Sequence, residues 1–505
     1  MNPAVRLNGR DLSIAEVVLV AKRFAPVSVA PEAVAELQAS RAVVEKAASS
    51  DKAVYGINTG FGKLASVKIP PEKLRLLQAN LIHSHASGLG SPLPVEIVRA
   101  VMLLRANSLL KPTSGVRPII PERLVAMLNA GVHPLVPEQG SVGASGDLAP
   151  LSHIAWGLLG FGEVDILLSD GAPPERCPAA SALDRAGLSR LELEAKEGLA
   201  LINGTQAQTA ILALVIEEAT NLWRSAHAAA ALSLEALKGS PDAFDPRLHA
   251  ARPHRGQVES AALLRDLLRD SEIRESHRTG DTRVQDAYSL RCTPQIMGPV
   301  KETLDRAAEV ALIEMNSATD NPLVVGEEII SGGNFHGQPV AMALDFVAIA
   351  LTTLVGLAER RLERIVNPDL SPGLPAFLAV DAGLESGFMM VQIVAASIVG
   401  ECRTLSTPAC VQSIPTDANQ EDVVPMGMAA AFKARRVLAN ARRVVACELL
   451  CGAQGLEFHR PLKSSPGVEA VHEKIRSMVA PLTRDRALTQ DIENIASLLS
   501  REALV

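Results

Sequence analysis

Long stretches in the second half of the chain are apolar on nearly every helical face, the pattern of helices buried in a bundle. Residues 205–237, 300–315, 339–365, 388–404 and 426–456 are the predicted long helices. Pro339 suits a first helical turn, and Asn367-Pro368 stops the same helix. Up to about residue 197 the pattern is mixed. Ser13 and Glu16 form a capping box for a helix through Arg23, and Asn8-Gly9 reads as a hairpin turn. The Pro/Gly/Ser-rich stretch 170–183 reads as a surface connection, and the polar stretch 241–282 as an excursion with one amphipathic helix near 259–270. The expected architecture is mainly α, a smaller mixed part over 1–197 followed by a helical bundle over 198–505.

Composition narrows the classes. Of 505 residues 48% are hydrophobic but only 3% aromatic, which points to Ala/Leu/Val helical cores. A net charge of -7 with mixed signs offers no basic stripe for nucleic acid. The charge-free run 198–216 contains Asn203, Thr205, Gln206, Gln208 and Thr209, which are costly in hydrocarbon, and 346–358 is too short to span a bilayer. Both read as buried segments of a soluble protein, with no membrane partner. The amino terminus has no apolar signal core, and six cysteines form no CxxC pair, so a reducing cytoplasm is expected. Cys447 and Cys451, one helical turn apart, read as small apolar residues on one face.

The run Gly140-Ser141-Val142-Gly143-Ala144-Ser145-Gly146-Asp147 carries the most distinctive chemistry. If the Gly146 amide nitrogen attacks the Ala144 carbonyl carbon, a five-membered ring closes. Loss of two waters then turns Ser145 into a methylidene electrophile that no encoded side chain offers. Gly146 and Gly143 suit such a compressed loop. The same run resembles a G-x-S-x-G nucleophile elbow, but Asp147 stands where the last Gly belongs, so a serine hydrolase is the weaker reading. A purely structural helical protein is the non-catalytic alternative.

Only two tyrosines occur, Tyr55 in Tyr55-Gly56-Ile57-Asn58-Thr59-Gly60-Phe61-Gly62 and Tyr288 beside Gln285 and Arg291, and their setting suggests phenol chemistry. Gly56 to Gly62 with Lys63 and Leu64 has the wrong spacing and ending for a phosphate loop, which disfavours nucleotide binding.

With Asn203-Gly204-Thr205-Gln206, Tyr288-Ser289-Leu290-Arg291, Asp320-Asn321-Pro322, Gly333-Asn334-Phe335-His336 and Asn419-Gln420-Glu421-Asp422, these motifs follow the order seen in aromatic amino acid ammonia-lyases. The chain resembles that family over nearly its full length, and its histidine-specific members most closely. The resemblance implies a helical bundle of the lyase and aspartase/fumarase superfamily and a homotetramer with shared active sites. It also implies a 4-methylideneimidazole-5-one (MIO) formed from Ala144, Ser145 and Gly146, and elimination of ammonia from L-histidine to give urocanate.

By the same resemblance Tyr55 is the base that takes the β-proton. A phenol with an ordinary pKa of about 10 is mostly neutral at pH 7, so positive charge or helix amino termini are expected to hold it lower. Arg291 has the planar fork that grips a carboxylate. Asn203 would be an expensive buried amide without a task. Gln285 and Tyr288 match polar residues around substrate and cofactor, and Phe335 matches an active-site wall.

For the substrate ring, a donor and an acceptor on imidazole suit His85 and Glu421, whereas a phenyl ring would leave them unpaired. Glu421 also suits an acid/base role at the leaving amine. His83 and His85 form an HxH pair without an adjacent acidic or Cys partner, so no metal is expected. Ala287, Gln338, Val423 and Pro425 depart from the histidine-specific pattern, and a tyrosine ammonia-lyase or an aromatic aminomutase remains open.

Overall fold

The five apolar stretches fold as helices near their expected bounds. The structure, a computed structural model, describes residues 3–169, 171–281 and 283–505. Asp170 and Thr282, which bound two of the expected segments, lie outside the described residues.

In chain order the helices used below are α1 (Ile14–Arg23), α2 (Leu74–His85), α3 (Val95–Leu109), α4 (Leu148–Leu158), α5 (Glu197–Ile202), α6 (Gln206–Ala236), α7 (Arg255–Leu267), α8 (Tyr288–Arg291), α9 (Thr293–Met315), α10 (Gln338–Val366), α11 (Met389–Leu405) and α12 (Gly427–Glu457). The protein is mainly α. Strands are short and few, the largest sheet being three antiparallel strands, Val132–Pro134, Glu163–Ile166 and Glu175–Pro178.

The capping box forms as expected: Ser13 caps α1 through its hydroxyl, and the Glu16 carboxylate accepts from Ser13 N at 2.8 Å. Asn8-Gly9 is not a hairpin turn. Val5–Leu7 instead pairs in parallel with Val27–Val29, across α1, and Gly9 N donates to Asn107 Oδ1 at 3.0 Å. Parallel pairing needs such a crossover, so the turn-like dipeptide opens a loop into α1. Helix α9 starts before the expected residue 300 and runs through Pro299, whose missing N–H costs it one helical hydrogen bond. The polar excursion contains α7, shifted toward the amino terminus from the expected 259–270.

Two compact units interleave along the chain. The first comprises Met1–Glu217, Ala307–Asp345 and Pro408–Phe432. Within it, every residue of α3 from Ile97 to Leu109 is buried, Arg99, Arg105 and Asn107 included. Helices α2, α4 and α5 pack on one another. Their packing matters because His85 ends α2, the 143–147 loop leads into α4, and Asn203 follows α5.

The second unit comprises Glu218–Arg306, Phe346–Thr407 and Lys433–Val505. Its interior holds a buried ion pair, Arg361 Nε to Glu448 Oε1 at 2.5 Å, with Ser233 Oγ donating to the same carboxylate at 2.7 Å. Cys447 and Cys451 are buried on α12, and burial pushes the Cys447 thiol up to about 12.

Among the described residues one helix, α10, is long and apolar enough to cross a bilayer by length and composition; 67% of its apolar window is buried within the protein. The charge-free run 346–358 lies within this helix, as the apolar stretch 339–365 predicts.

Candidate active site

A cavity of about 510 Å³ in the first unit is lined by Tyr55, His85, Ser145, Asn203, Phe335 and Glu421, six of the expected residues. The packing of α2, α4 and α5 brings three of them there, from segments far apart in sequence.

The Ala144-Ser145-Gly146 loop is held tightly. Gly143 and Gly146 bridge each other across it, and Gly146 bridges Gly204 on the neighbouring segment. Asp147 N donates to Gly204 O at 2.7 Å, and Asn203 Nδ2 donates to Ser145 O at 2.7 Å. Gly146 has φ +74°, and a Cβ there would collide with the Gly204 backbone. Only glycine fits that approach. The compressed, glycine-dependent loop fits closure of a backbone ring between Gly146 N and the Ala144 carbonyl carbon. Ala144, Ser145 and Gly146 would form the group, and Asn203 and Gly204 would hold it.

Asp147 is fully buried behind the loop. It accepts from Gln208 N at 2.9 Å and from Ser141 Oγ at 3.0 Å, yet burial still pushes its carboxyl up to about 6. Ser145 Oγ donates to Glu421 Oε1, while Thr416 Oγ1 donates to Glu421 Oε2 at 2.5 Å. Among the described residues no histidine nitrogen bonds Ser145 Oγ, so a serine nucleophile would lack its usual base.

Tyr55 faces carboxylates rather than cations. Burial pushes its phenol above the ordinary value, and Asp417, Glu421 and Asp320 push it further; the 3.5 Å contact from Gly62 N opposes them. The expected lowering is therefore reversed in this chain, because burial and the carboxylates outweigh the Gly62 contact and, among the described residues, no guanidinium lines the cavity to oppose them.

Burial pushes the His85 ring below its ordinary pKa, against the opposing pull of the Leu81 carbonyl, so the ring is neutral at pH 7. Its Nδ1 lies 2.9 Å from Leu81 O, a bond that makes Nδ1 the donor and leaves Nε2 as an acceptor. His83, the other half of the HxH pair, accepts from Trp156 Nε1 at 3.1 Å through its own Nδ1.

Gln285, Tyr288 and Arg291 do not line the cavity; they cluster in the second unit. Gln285 is exposed and Tyr288 is 69% exposed, with the Arg291 guanidinium 4.5 Å over its ring. Arg291 Nε donates to Asp286 O at 2.9 Å.

The sequence reading missed Asp417, Asn321 and Asn80, which all line the cavity. Asp417 carried a signal, since it precedes Glu421 by four residues in an acid-rich stretch. Asn321 stood in a quoted motif without a role.

A model of the aromatic amino acid lyases matches residues 12–477. The chain is 50% identical to a histidine ammonia-lyase of Koribacter versatilis, covering 98% of each chain. Among solved structures it is similar to tyrosine aminomutase from Streptomyces globisporus, with a TM-score of 0.93, 41% identity, and coverage of 99% of this chain and 97% of that one. Histidine ammonia-lyase from Trypanosoma cruzi matches with a TM-score of 0.90 and 40% identity, over 99% of this chain and 94% of that one.

Proposed function

The chain belongs to the aromatic amino acid lyases, and from that membership and the cavity's geometry we propose that it is a histidine ammonia-lyase, converting L-histidine to urocanate and ammonia. One observation carries the reading: Tyr55, His85 and Glu421 line a single cavity with Ser145, the central residue of the glycine-compressed loop.

We infer that the tripeptide matures to MIO. When formed, that group supplies an electrophile that makes the amino group of the substrate a competent leaving group. Tyr55 Oη is the acceptor for the β-proton, which is weakly acidic and needs a placed base. The neutral His85 ring offers Nε2 to an imidazole N–H. Asn203 Nδ2 holds the Ser145 carbonyl oxygen in a fixed, preorganised direction. Phe335 forms an apolar wall.

Glu421 gains a free oxygen on maturation. Its Oε1 is occupied by the Ser145 hydroxyl, which leaves when the methylidene forms, while Thr416 continues to hold Oε2. The freed oxygen accepts from the substrate, at the imidazole or at the amine.

Gln285, Tyr288 and Arg291 are supplied to this cavity by another copy of the chain in a homotetramer. The exposure of Gln285 and Tyr288 supports this, as do exposed apolar side chains spaced along helices: Met342, Phe346 and Ile349 on α10, and Met390, Ile393 and Val394 on α11. Arg291 would then grip the substrate carboxylate and bring positive charge toward Tyr55. The six free cysteines and the mixed surface charge support a cytoplasmic enzyme without nucleic-acid or membrane partners.

The test is to incubate the purified protein separately with L-histidine, L-tyrosine and L-phenylalanine, identifying products by mass and measuring released ammonia. Urocanate with equal ammonia supports the reading. Faster release from tyrosine, or a β-amino acid without ammonia, overturns it in favour of a tyrosine lyase or an aminomutase, an outcome that similarity to the tyrosine aminomutase keeps in view.

A further inference from the structure

Arg105, on α3, is fully buried, and its guanidinium is spent on one short segment. Nη1 donates to Asn203 O at 3.1 Å and to Gln206 Oε1 at 2.6 Å, and Nη2 donates to Ala200 O. Gln206 is itself fixed, since its Nε2 donates to Thr319 Oγ1 at 2.8 Å. One side chain therefore ties together the last turn of α5, the Asn203-Gly204 corner and the first residue of α6. A buried cation is costly unless its donors and its charge are met. Here Asp320, the carboxylate that favours the charge, is already paired at 2.5 Å with the equally buried Lys196, and Arg105 Nε has no partner among the described residues, so the guanidinium is held by these three oxygen acceptors alone.

Gly204 lies between this guanidinium and the tripeptide. A Cβ on Gly204 would collide with Arg105 Nη1 and Gln206 Oε1, and a Cβ on Gly146 would collide with the Gly204 backbone. The Asn203-Gly204 corner also bonds the loop on both sides of Gly146, through Asn203 Nδ2 to Ser145 O and from Asp147 N to Gly204 O. Arg105, Gly204 and Gly146 form a close-packed stack with the guanidinium at its back.

We propose that Arg105 is a positioning residue for ring closure of Ala144-Ser145-Gly146. By bracing residues 200–206 from behind, it keeps Gly204 against Gly146 and Asn203 on the Ser145 carbonyl. The inference rests on the maturation proposed above and adds the group that enforces its geometry. In closure, Gly146 N bonds to the Ala144 carbonyl carbon. The Ala144 oxygen leaves as water with the Gly146 N–H and Ser145 N–H hydrogens, giving a carbon–nitrogen double bond. The Ser145 hydroxyl then leaves as water with the Ser145 Cα hydrogen, giving the methylidene. No oxidant is needed. An intramolecular reaction of this kind depends strongly on how the reacting atoms are held. Lysine cannot take the place of the planar fork, because its single ammonium cannot span the three acceptors in their fixed directions.

The experiment compares the parent with Arg105→Lys and Gln206→Met in the full chain. It follows the mass of the peptide containing residues 144–146 with time after synthesis, and the fold by circular dichroism. The parent peptide is expected to lack two waters. In folded Arg105→Lys that loss should be about a hundredfold slower, with Gln206→Met intermediate because it releases one of the three ties. A merely structural arginine would lower the unfolding midpoint yet leave every folded molecule dehydrated at the parental rate, which would overturn the proposal. If Arg105→Lys yields no folded protein, the Gln206→Met time course decides by the same criterion. A parent peptide that retains both waters would instead overturn the maturation itself, a result distinct from parental dehydration in the variants.

Discussion

Asn203 Nδ2 donates a 2.7 Å hydrogen bond to the Ser145 carbonyl, so the residue following α5 holds the oxygen at the centre of the tripeptide. A fixed donor aimed where negative charge develops acts on the transition state more than on the bound substrate. Asn203→Ala should therefore lower kcat by about 10²–10³ while KM for L-histidine changes little. Steady-state kinetics on protein with the parental circular dichroism spectrum, and with the 144–146 peptide shown by mass to have lost both waters, checks this. An unchanged kcat would show that the bond only fastens the loop.

Tyr55 and Arg291 lie in different units of one chain, and the proposed assembly brings them together between chains. Tyr55→Phe removes the proposed proton acceptor and should cut kcat by about 10²–10⁴; Arg291→Met should raise KM strongly by removing the proposed carboxylate fork. If sites are shared, co-expressing the two variants builds some sites with both intact residues. Mixed tetramers should then recover a measurable part of the parental activity, and recovery no greater than the sum of the separate variants would refute sharing. The pH profile gives a second check. Burial, reinforced by the carboxylates, holds the Tyr55 phenol above its ordinary value, so its proton-accepting form grows as pH rises. Removing the Arg291 charge should move that rise in kcat/KM to still higher pH.

Much of this site could be read in the chain because its chemistry sits in short local motifs. Ala144-Ser145-Gly146 needs no tertiary information to suggest ring closure, and the apolar-all-round pattern of α6, α10 and α12 marks buried helices whatever their neighbours. Features set by distant partners were not legible. Asn8-Gly9 has the chemistry of a hairpin turn, but the strand beside Val5–Leu7 comes from beyond α1, and Gly9 N turns to Asn107 instead. The Tyr55 phenol depends on Asp320, Asp417 and Glu421, none of them near it in sequence. Arg105 gave no signal either, because a lone arginine in an apolar helix shows neither its burial nor the corner that it braces.

Asp147 should make stability fall with rising pH. Its carboxyl is fully buried and raised from an ordinary 3.8 to about 6, so between those values the folded chain holds a proton that the unfolded chain has lost. Stability contributed by the protonated form is complete below the unfolded pKa and is lost by about pH 6, a change of order 3 kcal/mol. Asp147→Asn, which cannot ionise, lacks that slope. In urea denaturation, parental stability relative to the variant should decline from about pH 4 to pH 6 and then level. A relative stability that stays flat or rises across this window would mean that the hydrogen bonds from Gln208 and Ser141 hold Asp147 as a carboxylate.

In the proposed reaction, substrate choice turns on the His85 ring. Its Nδ1 is committed to Leu81 O at 2.9 Å and burial keeps the ring neutral, so Nε2 is the acceptor available to an imidazole N–H. His85→Phe keeps an aromatic ring of similar volume and deletes that acceptor. The imidazole would then be buried against carbon with an unmet donor, and kcat/KM for L-histidine should fall about tenfold or more. L-phenylalanine has no such donor to lose and should be turned over as well as before or better, so the preference ratio shifts toward it. His85→Gln restores an acceptor without the ring and should recover part of the loss for L-histidine only. Competition between the two amino acids, followed by product mass, reads the ratio directly. If the histidine-to-phenylalanine preference is the same in the parent and in His85→Phe, then His85 does not contact the ring, and Glu421, freed by the loss of the Ser145 hydroxyl, is left as the polar group that selects it.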